Sequence, residues 1–333
     1  WSPNTTFYVA IGHDEEVLGR SGALELAKVL QKRGVHDLFF VLDEGMPIVD
    51  GLISGVNVPV ATIGVSEKGW MSLRVEAVGP AGHSSIPPRQ QATHTLATAL
   101  HNLHSNPHPT MLGTGPEEDM LRAIAPKSEW PYRLAMSNPW LFRLVLSAVM
   151  SKQKETDALQ RTTTATTIVR AGVKDNVVPG SAWAVVNHRV HPGQTLEQVL
   201  EHDIRAIGDE SVNVTVLGTR ECAPVSPYGP ESSAFCLIAA TVKKIYPTAV
   251  PAPSLLLANT DTVHYLQFSR NVYRFLPLLL TAEDIRTVHG HNERISAANI
   301  WRAAQFYQSL ILSADGAVFT AHSSPSHVRL GEL

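Results

Sequence analysis

The stretch "TFYVAIGHDEEVLGRSGALELAKVLQKRGVHDLFFVLDEG", residues 6–45, decides the fold class. Its first seven residues have the aromatic and β-branched composition of a buried strand. In "SGALELAKVLQKRG", Ala23, Leu26, Ala27 and Leu30 recur at helical spacing, and Gly34 stands where a helix C-terminal glycine belongs. "HDLFFVLDEG" then reads as a second buried strand. Strand, helix and strand in this order form a βαβ unit, which implies a parallel sheet with ligands outside the carboxyl ends of its strands. Asp14, Glu15 and Glu16 follow the first strand and Asp43 and Glu44 end the second, so both acidic groups are expected at one edge.

The rest of the 333 residues bounds what such an edge can serve. A hydrophobic content of 44% supplies a large core, and a net charge of −3 with no long run of one sign gives no footprint for nucleic acid or an anionic membrane. Apolar runs such as "LFFVL" and "FLPLLL" are far too short to span a bilayer, so no membrane span is expected. Cys222 and Cys236 are too few for a disulfide framework and are expected as two ordinary thiols. The chain opens on Trp1 rather than Met, which leaves room for a signal peptide upstream, and Asn4-Thr5-Thr6 and Asn213-Val214-Thr215 are glycan sequons if it is secreted.

From Trp70 the pattern turns to alternating strand text in "GWMSLRVEAVG", followed by "AGHSSIPP" and a helix in "QQATHTLATALHNLHS". Residues 106–140 are rich in proline and are expected as an irregular lobe. "TTTATTIVRAG", "AWAVVNHRVHPG" and "VNVTVLG" return to strands around an amphipathic helix in "TLEQVLEHDIRAIG", giving the middle segment an α+β sheet of its own. A helix in "SSAFCLIAATVKKIYP", a strand in "VYRFLPL" and a helix in "ISAANIWRAAQFYQSLILSA" close the fold. The polar tail beyond Asp315 is expected to be loosely ordered.

Carboxylates crowded at strand ends make sense if a divalent cation offsets their charge. One can then ligate the metal while its neighbour takes a proton from the attacking water, a division that Glu15 and Glu16 fit. An acidic first turn that satisfies a helix dipole explains "DEE" as well. "TVHGHNERIS", residues 287–296, adds two histidines around a glycine just before a helix.

Taken in order, "GHDEEV", "LDEGMP", "VSEKGWMSLRVEAVGPAGHSSIPP", "AGVKDNVVPGS", "NHRVHPGQT", "NTDTVHY" and "HGHNERIS" resemble the co-catalytic zinc aminoacylase and carboxypeptidase family called M20. The resemblance implies an α/β catalytic domain of zinc-exopeptidase type, with a mostly parallel sheet flanked by helices, and an inserted α+β lid and dimerisation domain. It divides the chain into catalytic segments 1–69 and 223–316, a lid at 70–222 and a tail at 317–333. It further implies two zincs per site, with Glu15 as general base, Glu16 as ligand of one zinc, Glu44 or its neighbour Asp43 as ligand of the other, and His289 as a further ligand. His83 would reach a partner subunit's site to stabilise the oxyanion. Asn176 and Arg189 would hold the substrate carboxylate and backbone, with Asn259 and Asp261 near the substrate.

The implied activity is hydrolysis of N-acyl amino acids, especially N-fatty-acyl ones, reversible to condensation, by a secreted homodimer. A carboxypeptidase or dipeptidase acting on free peptides is the alternative. The family's His-x-Asp motif and its bridging Asp lie upstream of "DEE", so the chain is expected to be truncated at its N-terminus. An inactive homologue that serves as a binding partner therefore also stays open.

Overall fold

The computed structural model describes residues 1–315, so the tail expected at 317–333 lies outside the described residues. In chain order the elements are α1 (Ala23–Lys32), β1 (Val41–Asp50), β2 (Val60–Glu67), β3 (Gly69–Val78), β4 (Gly82–His83), α2 (Ala92–Ser105), α3 (Glu117–Ile124), α4 (Tyr132–Ser137), α5 (Pro139–Met150) and α6 (Lys154–Gln160). Then follow β5 (Thr163–Ala171), β6 (Val177–Val178), β7 (Ser181–Val190), α7 (Leu196–Ile207), β8 (Val212–Arg220), α8 (Ser233–Ile245), β9 (Val250–Leu256), β10 (Val272–Thr281), α9 (Ala282–Thr287) and α10 (Ala297–Ala314).

Two four-stranded sheets organise these elements into an α/β fold with helices against the sheets. The first has the order β1-β10-β2-β9. Its long registers are parallel, β1 with β10 and β2 with β9, while β2 meets β1 and β10 in short antiparallel pairings. One face is covered by α8 and α10, where Phe235, Ile238, Phe306 and Leu310 pack with Ile48, Ile63 and Phe275. Against the other lie Met120, Leu121, Ile124, Met136, Leu146 and Met150 of α3, α4 and α5, packed with Val60, Ala252 and Leu255. The second sheet, β5-β7-β3-β8, is wholly antiparallel. Its strands β3 and β7 alternate buried and half-buried residues, as one helix-covered face requires. Ala92, Leu96, Ala99 and Leu103 of α2 and Ile207 of α7 cover that face.

Three expectations change. Residues 6–12 form no strand: Val9 and Ile11 are 81% and 82% exposed, and among the described residues no strand lies alongside to take up the backbone hydrogen bonds. The acidic pair Asp43-Glu44 does not end its strand but lies inside β1, at an irregularity in the register between Asp43 and Met46. Gly45 makes this kink feasible, because it takes φ +152° and a Cβ there would sit 2.6 Å from the Arg274 Cβ. The proline-rich 106–140 lobe is largely helical: Pro116 and Pro131 are the residues preceding α3 and α4, and Pro139 begins α5, positions where a missing N–H costs nothing.

Strands β2 and β9 were not expected. β2 is buried throughout and so has no alternation to betray it, and β9 carries Pro251 and Pro253, which its place at the sheet edge tolerates. Both cysteines are free and half-buried. Among the described residues no helix is long and apolar enough to cross a membrane.

Candidate active-site cleft

The acidic triplet forms a 3-10 turn, Glu15–Val17, rather than a helix N-terminus. Asp14 builds it: its carbonyl accepts from Val17 N and Gly19 N at 3.1 and 2.9 Å, and its Oδ2 accepts from Ser21 N at 2.7 Å. Asp14 thus braces the turn through its carbonyl and Oδ2, with Oδ1 buried and unpartnered, and Glu15 and Glu16 face a cleft of about 1020 Å³. The turn rests on Asp261, whose Oδ1 lies 2.1 Å from where a Gly19 Cβ would be. Gly19 also takes φ +60°, so both space and backbone ask for glycine here.

Glu44, Arg189, Asn259 and His289 line the same cleft. His289 sits in a left-handed turn after α9 (φ 55°), which puts its Nδ1 4.0 Å from Glu16 Oε1. Of the two neighbours in β1, Glu44 borders the cleft, whereas Asp43 lies behind it with Oδ2 buried and unpartnered. Crowding leaves an electrostatic mark. Burial, and then the charges of Glu44, Glu16, Asp261 and Asp43, push the Glu15 carboxyl up to about 7. Burial pushes Asp43 up to about 6, with Glu44, Asp261 and Glu67 adding to it against an opposing backbone hydrogen bond. Asp261 is raised too, chiefly by burial.

The opposite wall comes from the second sheet. Arg189 on β7 donates through Nη1 to Asn259 Oδ1 at 2.7 Å, and Asn259 donates through Nδ2 to Lys68 O at 2.7 Å. This chain links the two sheets at the β2–β3 junction. Beneath it the "NTDT" turn alternates its side chains. Asn259 faces the cleft, while Thr260 and Thr262 donate to Glu67 Oε1 at 2.6 and 2.5 Å. Glu67 also accepts from Arg274 Nε at 3.0 Å, and both ionic side chains are buried.

His83 and Asn176 are not brought to this cleft. They meet on the small β4–β6 ribbon, where Ser84 N donates to Asn176 O and His83 Nδ1 lies 2.8 Å from Ser85 Oγ. Sequence reasoning passed over the apolar part of the cleft altogether. In "FLPLLL" the two-residue period of β10 turns Phe275 and Leu279 into the core and Leu276, Leu278 and Leu280 toward the cleft, a signal available to anyone who had assigned the strand to residue 281. The Glu67–Arg274 pair was equally overlooked.

The donor set suits a divalent cation. Carboxylates and imidazole are its usual ligands, and the mutual repulsion that raises Glu15 is what a cation offsets. Among the described residues, however, no three of the cleft's acidic and histidine side chains lie within 4.8 Å of one another. The fit is therefore one of chemistry and placement.

Residues 65–214 match the family described as the peptidase dimerisation domain of M20 proteins. Over that segment the chain is similar to M20 proteins. It is 40% identical over 331 residues, 99% of its length, to N-fatty-acyl-amino acid synthase/hydrolase PM20D1 of Xenopus tropicalis, and 37% identical over 95% of its length to probable carboxypeptidase S-like 2 of Dictyostelium discoideum. It spans 64% and 60% of those two proteins, a little under two thirds of each. The fold is that of an M20 family metallo-carboxypeptidase from Sulfolobus solfataricus, with TM-score 0.59 at 15% identity over 90% of this chain and 68% of that one.

Proposed function

We propose that the cleft is the site of a zinc-dependent amide hydrolase acting on N-fatty-acyl amino acids, reversible to the condensation of fatty acid and amino acid. The observation that carries this reading is the combination in one cleft of Glu15, Glu16, Glu44 and His289 with Arg189 and a leucine stripe. Glu16, His289 and Glu44, with Asp43 behind it, are the residues to hold zinc, two ions per site in the full-length protein. Bound zinc supplies an electrophile that polarises the amide carbonyl. Glu15, beside Glu16 in the cleft, takes the proton of the attacking water at its carboxylate and returns it to the leaving amine nitrogen. Arg189, held by Asn259, binds the carboxylate of the amino acid by charge-assisted hydrogen bonds. Asp261 supports the Glu15 turn from below.

The acyl chain lies along Leu276, Leu278 and Leu280, which favours fatty-acyl substrates over the free peptides of the carboxypeptidase reading. In this reading residues 1–69 and 223–316 are catalytic, and the 70–222 segment is the lid through which a homodimer forms. The β4–β6 ribbon then presents His83, for the oxyanion, and Asn176 to the partner's cleft. The protein is secreted, consistent with the exposure of Asn4 and Asn213.

Leu278→Ser tests the acyl assignment. Losing one apolar side chain from the acyl path is expected to lower kcat/KM for a long-chain N-acyl amino acid by about 10- to 100-fold, while hydrolysis of the N-acetyl analogue changes little. Equal effects on both substrates would refute an acyl path along β10.

A further inference from the structure

On the other face of β7 from Arg189, a second group of donors converges, away from the cleft. His188 on β7, His108 in the loop between α2 and α3, and Asp203 on α7 are 0%, 1% and 1% exposed. His188 Nε2 lies 2.7 Å from Asp203 Oδ2, His108 Nε2 lies 3.2 Å from Asp203 Oδ1, and one donor atom from each residue falls within 4.8 Å of the others. His202, one residue before Asp203 and partly open to solvent, stacks on His108 with ring centroids 4.1 Å apart and puts Nδ1 3.6 Å from Asp203 Oδ1. Three imidazoles thus surround one carboxylate.

These contacts are close but poorly aligned for hydrogen bonds. Asp203 Oδ2, His188 Nε2, both ring nitrogens of His108 and Nδ1 of His202 have no aligned hydrogen-bond partner. Buried polar atoms left without well-aligned partners are costly. His188 has its other nitrogen, Nδ1, 3.2 Å from Thr164 Oγ1. A proton on Nδ1 shared with Thr164 leaves the Nε2 lone pair facing Asp203, the arrangement of a histidine that ligates a metal through one nitrogen and is oriented through the other.

We propose that His108, His188 and Asp203, with His202 as the fourth donor and the point of entry, bind a divalent transition metal of the zinc class. Two or three imidazoles and one carboxylate suit zinc, and ligand bonds of about 2.0–2.2 Å fit the 3.2 and 3.6 Å separations from Asp203 Oδ1, while His188 Nε2, 2.7 Å from Oδ2, would move apart to admit the ion. Four protein ligands make the site structural. It fastens α7 and the α2–α3 loop to β7, and so steadies the strand that carries Arg189. The site is independent of the hydrolase reading, since none of its residues lines the cleft.

The test separates it from any zinc in the cleft. The triple variant Glu16→Ala, Glu44→Ala, His289→Ala, in the full chain, is equilibrated with Zn²⁺, desalted and assayed for metal and thermal stability. Retention of about one zinc per chain, with a Tm that falls on chelation, is expected. Adding His188→Gln should remove that zinc. A triple variant that holds no zinc, or zinc that persists after His188→Gln, would overturn the proposal. If His188→Gln does not fold, the cobalt(II)-loaded triple variant decides: paramagnetically shifted imidazole resonances from at least two histidines support the site, and their absence overturns it.

Discussion

Glu15→Gln in the full-length protein will cut amide hydrolysis by about 10²- to 10⁴-fold, the usual contribution of a positioned proton carrier, while zinc content and Tm stay at the wild-type level. The turn puts this side chain in the cleft. Asp14 holds the turn, Asp261 supports it, and Glu15 shares the cleft with Glu16 and Glu44. From there its carboxylate can accept a proton from the attacking water and give it up again within one turnover. Glutamine keeps the shape and removes the proton chemistry. It also removes one of several repelling charges, so the fold loses nothing by the exchange. Turnover number and bound zinc, measured on the same preparation, check this. Near-wild-type turnover would show that another group carries the proton.

Arg274→Met will destabilise the fold by about 3–5 kcal/mol, the cost of leaving one member of a buried ion pair uncompensated. Arg274 and Glu67 are both buried, and Glu67 Oε1 accepts from Arg274 Nε, Thr260 Oγ1 and Thr262 Oγ1. Without the guanidinium, a carboxylate remains under the "NTDT" turn with only hydroxyls to face it. Glu67→Gln in the same chain removes that charge and is expected to recover a large part of the loss. Urea unfolding of the two single variants and the double variant measures both effects. A loss under about 1 kcal/mol for Arg274→Met would mean that Glu67 is solvated or protonated in the native state. The turn matters beyond stability, because Asn259 at its start holds Arg189.

Much of this architecture could be read from residue patterns, and the exceptions have physical causes. The second sheet was legible because β3 and β7 alternate, as a sheet with one covered face must. Helix α7 was legible from its apolar period, and its Thr195–Gln198 capping box agrees with that reading. Continuous burial hid β2, and edge prolines disguised β9. Residues 6–12 have strand composition, but a strand is made by its neighbours, and composition cannot say whether they are there. At the site, "DEE", "DEG" and "HGH" marked the cleft because charge crowding is visible in one dimension. The Leu276–Leu278–Leu280 stripe, the Glu67–Arg274 pair and the His108–His188–Asp203 group were not visible in that way. Each depends on which face of a strand a residue takes, or on partners far apart in the chain.

The measurement that bears most directly on the central claim is release of free amino acid from a long-chain N-acyl amino acid by the full-length protein, before chelation, after it, and after zinc is restored. The account predicts release that stops with chelation and returns with zinc. Release that continues undiminished in the chelated protein, or none from the zinc-loaded protein, would contradict it.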